Sequence, residues 1–369
     1  MESREEKRMA VFILGNGFDL AHGLETRYTD FLEACHKKEL QSNIQKEKLQ
    51  KNIWFNHFNE KQKEIGENWF NLEEEIYKVI TKTRDTAKEE IEERKRQSLP
   101  SPVSQTQPKQ DFYNFFKREY LLHYRYVPQG KDETSDERIA KNLYERTEED
   151  SLRFFVDQFG EYLLEQLKNP DLTQKPKILD FLEKDILYNR HAFNQYFNKI
   201  RVVNFNYTNT FERLYGEYLK DKGIIDVMYY HIYGSLDKNN LVLGTQDLPD
   251  ENDPFRIFTK ECQSLHYETN KEYQKILKEL RETNRDFIIT FYIIGHSLDK
   301  ADHKILNKIL CYSGSEGNIG DINIYRYKDN ESLEILKNIE KIILEYPIER
   351  VSFTPLETII DDESAEEIK

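Results

Sequence analysis

Short apolar runs alternate along the chain with stretches of helical periodicity, and this alternation is the main structural signal. Residues 9–14 form an uninterrupted apolar run that stops at a glycine, which is typical of a buried strand. Further strands are predicted at 201–205, 227–232, 241–244, 287–294 and 322–325. Helices are predicted at 28–35, 270–284, 301–311 and 331–345. A further helix is predicted after the segment 206–209 and ends at about Leu219. Alternating strands and helices predict an α/β fold with a mostly parallel sheet.

The middle of the chain has a different composition and predicts helices alone. Residues 37–99 are rich in Lys, Glu, Gln and Asn, with apolar positions at helical spacing, and helical patterns resume around 111–123, 149–168 and 177–198. We therefore predict a core built from 9–36 and 199–347. Residues 37–198 then form a large helical insertion or cap, and 348–369 form a C-terminal tail.

Composition narrows the class of function. The chain of 369 residues has 54 Lys and Arg against 68 Asp and Glu, which gives a net charge of −14. This balance argues against nucleic acid as the main partner, because phosphate binding needs a surplus of basic side chains. No apolar run is long enough for a signal-peptide core or a membrane span. The three cysteines share no close spacing, so no disulfide framework is predicted and a cytoplasmic location is expected.

Polar, small-residue clusters follow five of the predicted strands. They lie at 15–19, 206–209, 231–235, 244–247 and 295–299. In parallel α/β sheets, ligands bind outside the carboxyl ends of the strands. The convergence of these clusters on predicted strand ends therefore indicates a ligand site.

The first cluster offers both backbone and side-chain groups. Gly15, Asn16 and Gly17 could let the backbone approach a phosphate or ribose, or could simply make a tight turn. The third glycine of a dinucleotide fingerprint is missing. Asp19 could hold a ribose hydroxyl or cap a helix, and His22 is interpreted as a surface histidine.

The later clusters supply candidates for catalysis. The Asn206 carboxamide suits a ribose hydroxyl or an attacking water, although turn formation would also explain it. His231 could accept a proton, or could be a buried histidine bonded to backbone. Ser235, Gly295 and Ser297 would line the same site. The histidines and aspartates show no strong metal-ligand spacing, so no metal site is predicted.

These strings together resemble one family. Gly-Asn-Gly-Phe-Asp-Leu-Ala-His-Gly-Leu at 15–24, followed by Thr-Arg-Tyr-Thr-Asp-Phe at 26–31, is similar to the opening signature of the AbiH family. Asn-Phe-Asn-Tyr-Thr at 204–208, the run at 231–236 and Ile-Gly-His-Ser-Leu-Asp at 294–299 match its later blocks in order. The resemblance spans 10–310 and implies a bacterial protein of abortive infection against phage.

A more distant similarity is to sirtuin-like NAD-binding domains of bacterial defence proteins. It implies a Rossmann-like core, a dinucleotide on the Gly15 to Gly17 loop and a catalytic asparagine at Asn206. Two positions depart from that pattern. Thr208 stands where those domains have an aspartate, and Tyr233 stands where they have the catalytic histidine, which leaves His231 two residues earlier.

The leading hypothesis is therefore an anti-phage effector that binds NAD or a related nucleotide and hydrolyses its nicotinamide–ribose bond. Asn206 and His231 would be catalytic, and Asp19 would hold the ribose. One alternative is a non-catalytic nucleotide sensor, and another is a metal-dependent hydrolase of nucleic acid. A small-molecule nucleotide, a second copy of the chain and a phage-derived trigger are the expected partners.

Overall fold

The computed structural model describes residues 7–37, 44–65, 71–96, 151–187, 197–245, 254–283, 286–311, 319–326, 332–343 and 350–360. In these residues the strands are β1 Lys7–Leu14, β2 Phe197–Asn204, β3 Val227–His231, β4 Phe287–Ile294, β5 Ile319–Arg326 and β6 Val351–Pro355. They form one six-stranded sheet in the order β3-β2-β1-β4-β5-β6. Every neighbouring pair is parallel. The predicted α/β fold is confirmed.

The helices α1 to α12 of the described residues cover Asn16–Leu20, Tyr28–His36, Lys46–Leu49, Ile53–Ile65, Leu72–Arg96, Leu152–Gln166, Pro176–Phe181, Thr210–Asp221, Lys260–His266, Asn270–Thr283, His303–Leu310 and Ser332–Ile342. A π-helical segment, Leu182–Leu187, follows α7, and a 3₁₀ turn, Lys300–Asp302, precedes α11. Among the residues that the structure describes, no helix has the length and apolar character that crossing a membrane requires.

The strand order is that of a doubly wound, Rossmann-like sheet, in which the direction of winding reverses between β1 and β4. β1 and β4 are central and buried on both faces, which explains their nearly continuous apolar sequences. On one face, Phe12 of β1 stacks on Tyr292 of β4, with ring centroids 5.3 Å apart. The same ring lies 5.5 Å from Phe211 of α8, so the face is closed by an aromatic core.

The chain forms two compact units. The first comprises Met1–Arg27, Tyr162–Leu241 and Tyr267–Lys369, and it contains the whole sheet. The second comprises Tyr28–Glu161 and Val242–His266. Its described residues are mainly helical and have an aromatic core of their own, formed by Phe31, Trp54, Phe55, Phe58, Phe155, Phe159 and Phe258. Residues 97–150 of the predicted insertion and 361–369 of the predicted tail lie outside the described residues.

Two of the predicted elements differ from the structure. The predicted strand at 241–244 is wrong: these residues are extended chain outside the sheet, and only the next residue, Thr245, makes an isolated bridge, to Thr259. In contrast, β6 lies within the segment assigned to the tail. β6 is an edge strand of the sheet, and all five of its residues are partly or fully exposed, so it lacks the apolar run that identified the central strands.

Candidate functional site

The sheet register brings four strand ends to one level. Leu14 of β1 pairs with Asn204 of β2 and with Ile294 of β4, and Asn204 pairs with His231 of β3. The segments that follow these strands therefore leave the same edge of the sheet. Four of the predicted polar clusters meet there. The fifth, at 244–247, falls within the described residues only at 244 and 245, and these two follow extended chain that is not a strand of the sheet.

Asp19 is the most deeply buried acid of this edge. Only 1% of its surface is exposed, and the hydroxyl of Thr208 donates to its Oδ2 atom at 2.5 Å. Its Oδ1 atom has no hydrogen-bond partner among the described residues. Burial raises the pKa of Asp19 to about 6, although the polar side chains of Thr208, Thr210 and Asn206 offset part of the effect. Asp19 does not cap α1, since Gly15 holds the N-cap position.

Asn206 is held against the β1 loop by its carboxamide. Its Nδ2 atom donates to the carbonyl of Gly15 at 3.0 Å, and its backbone N–H donates to Oδ1 of Asn204 at 2.9 Å. Asn204 in turn donates to the carbonyl of Thr208 at 2.7 Å. The turn after β2 is thus fixed by side-chain amides, which places Asn206 beside Asp19.

His231 is the last residue of β3 and lies at the same edge of the sheet. Its Nδ1 atom is buried and lacks a hydrogen-bond partner within the described part of the chain. Burial lowers the pKa of His231, and the backbone of Asn206 offsets part of this shift. The ring is therefore neutral at neutral pH and can accept a proton.

The glycines of the first cluster are required by packing. The N–H of Gly15 donates to the carbonyl of Ile294 at 3.1 Å, and the N–H of Gly17 donates to the carbonyl of Gly295 at 2.8 Å. A Cβ at Gly15 would lie 2.5 Å from the Cα of His296, and one at Gly17 would lie 2.8 Å from the Cα of Gly295. These two N–H groups already have partners, so close approach of the loops after β1 and β4 explains both glycines.

The remaining candidates are spread around the same edge. Oδ1 of Asn16 accepts from the Thr26 hydroxyl at 2.6 Å. Ser235 is buried and Ser297 is exposed. Gly295 has a φ of +63°, a conformation that favours glycine.

The interpretation of His22 as a surface residue is wrong. Its ring is 3% exposed. Its two nitrogens lie 2.7 Å from the carbonyl of Phe18 and 2.8 Å from the hydroxyl of Tyr215. Burial lowers the pKa of His22 to about 4. His22 is a structural residue that joins α1 to α8.

Sequence reasoning did not connect three polar residues that meet next to the site. The hydroxyl of Tyr233 donates to Oδ1 of Asp302 at 2.5 Å, and Nε2 of His296 lies 3.6 Å from Oδ2 of the same carboxylate. Asp302 is 69 residues from Tyr233 in the sequence, so no local pattern could have paired them. Within the described residues, no group of three His, Cys, Asp or Glu side chains could hold a metal ion.

The fold and the site define a doubly wound α/β protein with a buried polar cluster at the carboxyl ends of β1, β2 and β3. Residues 11–316 match the model of the family described as bacteriophage abortive infection AbiH. The match covers most of the chain, and the protein belongs to the AbiH family. Neither the curated proteins nor the solved structures contain a match to the chain.

Proposed function

We propose that this AbiH protein binds NAD or a related nucleotide and hydrolyses its nicotinamide–ribose bond. The observation that supports the proposal most is the pair of unpartnered buried atoms, Oδ1 of Asp19 and Nδ1 of His231, on either side of Asn206 in the sheet order. An acceptor left without a donor in the protein interior costs free energy unless a ligand supplies one. The hydroxyl groups of a ribose are suitable donors for Asp19.

Asn206, His231 and Asp19 have separate roles in the proposed hydrolysis. The bond between ribose C1′ and the nicotinamide nitrogen breaks, and its electron pair leaves with nicotinamide. A water oxygen then bonds to C1′, and the neutral His231 accepts the proton of that water. Asn206 orients the water or the ribose, while Asp19 accepts a hydrogen bond from a ribose hydroxyl.

The rest of the nucleotide is assigned to residues around this cluster. Ser235 follows β3, and Gly295 and Ser297 follow β4. In this proposal the side chain of Asn16 also contacts the nucleotide. Gly15 and Gly17 shape the loop by packing, since their N–H groups are bonded to Ile294 and Gly295.

Nicotinamide release from NAD by the purified protein tests the proposal. The assay is run with and without extract of phage-infected cells, because a phage-derived trigger is expected. Asn206→Ala and His231→Ala should abolish turnover while the thermal unfolding midpoint shows a folded protein. Asn209→Ala is the matched control, since its amide reaches only the exposed region around Asp237 and should leave turnover intact. Undiminished turnover in Asn206→Ala would contradict the assignment.

A non-catalytic nucleotide sensor is the second candidate. The observation that favours it is Tyr233, which occupies the position of the catalytic histidine in the similar domains and is bonded to Asp302. A sensor would bind NAD without consuming it in either condition. Calorimetry with NAD therefore separates the candidates: binding without nicotinamide release supports the sensor.

A further inference from the structure

Tyr233, His296 and Asp302 form a buried polar group that the proposed reaction does not use. Their surfaces are 4%, 6% and 8% exposed. The carboxylate of Asp302 accepts from the Tyr233 hydroxyl at 2.5 Å and lies 3.6 Å from Nε2 of His296. We call these three residues the Tyr233 bridge, because one carboxylate joins a tyrosine after β3 to a histidine after β4.

The bridge connects the segments that follow β3 and β4. In the sheet, β3 and β4 are separated by β2 and β1, which are the strands that lead into Asn206 and Asp19. Phe205, the first residue after β2, meets both rings edge-on, at 5.6 Å from Tyr233 and 4.5 Å from His296. The loops after β3 and β4 are thus connected across the two strand ends between them, with Phe205 packed against the connection.

The orientation of His296 is maintained by a strained residue. The N–H of Leu298 donates to Nδ1 of His296 at 2.9 Å, so the proton of the neutral ring lies on Nε2, which faces Asp302. Leu298 achieves this with a φ of +55°, a conformation that costs a side-chain-bearing residue about 1–2 kcal/mol. Such strain persists where the surrounding structure imposes it, and it concentrates at functional sites.

We propose that Asp302 is a positioning residue, which holds Tyr233 and thereby fixes the segment 231–235 that begins with His231. This inference rests on the proposed NAD hydrolysis. Tyr233 lies two residues after His231, so its anchoring determines where β3 ends and how His231 is presented to the site. The hydroxyl of Tyr233 then explains why a tyrosine at this position is compatible with catalysis by His231.

Three variants separate positioning from a direct role of the carboxylate charge. Asp302→Asn keeps an oxygen that accepts from Tyr233, whereas Asp302→Ala and Tyr233→Phe remove the bond. We expect kcat to fall about ten-fold or more in the last two, with KM within about two-fold of wild type, because a small displacement of a catalytic group costs rate. Asp302→Asn should retain most of kcat. The double variant that combines Asp302→Ala with Tyr233→Phe should be no slower than either of these two single variants. Equal losses in Asp302→Asn and Asp302→Ala would overturn the inference.

Amide hydrogen exchange over 229–237 tests the positioning without any NAD. This segment is bonded through Ile232 N–H to the carbonyl of Asn204 and through Leu236 N–H to that of Tyr207. Exchange should accelerate in Asp302→Ala and Tyr233→Phe, but not in Asp302→Asn. Asp299→Asn is the control for loss of charge from the same loop. Unchanged exchange in the first two variants would overturn the inference. Faster exchange in a protein whose wild type never releases nicotinamide would support the positioning and overturn the proposed function instead.

Discussion

Two polar clusters involve residues of β2 and β3, and they differ in how completely they are bonded. In the Arg201 cluster, formed by Arg201, Asp226, Tyr230 and Glu279, each guanidinium nitrogen has an acceptor. Nε donates to Glu279, Nη1 to the carbonyls of Ile200 and Asp226, and Nη2 to both carboxylates. In the carboxyl-end cluster of Asp19, Asn206, Thr208 and His231, two buried atoms lack partners among the described residues. Complete bonding is typical of a structural role, whereas an unpartnered buried atom calls for a further partner such as a water, an ion or a ligand.

The electrostatics support the same distinction. Burial alone would lower the pKa of Arg201, but hydrogen bonds and charges of Glu279 and Asp226 outweigh burial and raise it. In the carboxyl-end cluster burial dominates, so that the pKa of Asp19 rises and that of His231 falls. The first cluster stabilises its charges, whereas the second makes its acid and its base less charged than usual.

The largest expected effect is on stability in Arg201→Met. Removal of the cation leaves Glu279, whose side chain is 16% exposed, without its main partner, and breaking such a buried pair costs about 3–5 kcal/mol. Urea unfolding at neutral pH measures this loss. NAD affinity per folded molecule should not change, because the cluster has no unpartnered group to offer a ligand.

Lys199→Met is the matched control for Arg201→Met. Lys199 lies 3.7 Å from Asp226 and 3.8 Å from Glu279, but its side chain is 25% exposed. A partly exposed pair of this length contributes less than about 1 kcal/mol. A similar loss in both variants would break the comparison, since it would show that bonding around Arg201 is not what stabilises the cluster.

The second largest effect has the opposite sign and arises in Asp19→Asn. A carboxyl pKa raised from 3.8 to about 6 means that the folded state binds the proton more tightly than the unfolded state. The stability from this group is therefore fully present below pH 3.8 and is lost as the pH rises through 6. The shift corresponds to about 3 kcal/mol. The amide that replaces the carboxyl group cannot ionise, so the variant should be more stable than wild type at pH 7 and should bind NAD more weakly.

The difference in unfolding free energy between wild type and Asp19→Asn, measured from pH 4 to pH 7.5, checks this prediction. It should grow with pH in favour of the variant, because only the wild type loses stability as its carboxyl group ionises. A variant that is less stable than wild type at pH 7 would show that Asp19 is a structural acid. The carboxyl-end cluster would then be of the same kind as the Arg201 cluster.

The third prediction concerns the loops that frame the carboxyl-end cluster. A Cβ at Gly295 would lie 2.3 Å from the backbone nitrogen of Phe18, and Gly295 has a φ of +63°. Gly23 has a φ of +78° but no atom within 4 Å of its added Cβ. Gly23→Ala should cost about 1 kcal/mol through conformation alone. Gly295→Ala should cost about 2 kcal/mol more, because backbone must move.

Thermal unfolding of Gly295→Ala and Gly23→Ala measures the prediction. The difference between the two losses of stability is the cost of moving the backbone that lies close to Gly295. Equal costs would mean that the loops after β1 and β4 separate easily. In that case the glycines would be free to serve a bound phosphate, as the sequence alone suggested.

The sequence predicted the carboxyl-end cluster because its signal is local. Asp19, Asn206 and His231 each lie at the end of an apolar strand or within a few residues of it, and parallel strands end at one edge. The Arg201 cluster has no such signal. Arg201 lies inside a strand, and its partner Glu279 is 78 residues away on α10. A single basic residue within an apolar run does not reveal whether a carboxylate will meet it.

The role of the glycines was also outside the reach of sequence reasoning. A Gly-x-Gly turn after a strand is compatible with a phosphate and with another backbone. Only the order β1-β4 in the sheet brings Gly295 against Gly17. The two histidines likewise differ in their neighbours. Both ring nitrogens of His22 have hydrogen-bond partners, in Phe18 and Tyr215. Nδ1 of His231 has none among the described residues.

These two histidines provide the smallest expected effect and a direct test of the comparison. His231→Gln should change stability at pH 7 by less than about 1 kcal/mol, because Nδ1 of His231 makes no bond that is lost and a glutamine amide can still donate to the backbone of Asn206. His22→Gln should cost about 2 kcal/mol, since the carbonyl of Phe18 and the hydroxyl of Tyr215 lose a buried partner. Nicotinamide release should persist in His22→Gln and should be lost in His231→Gln, because only His231 accepts the proton of the attacking water. If the costs were reversed, His231 would be the bonded residue of the pair, and the absence of a partner at a buried atom would no longer identify a ligand site in this protein.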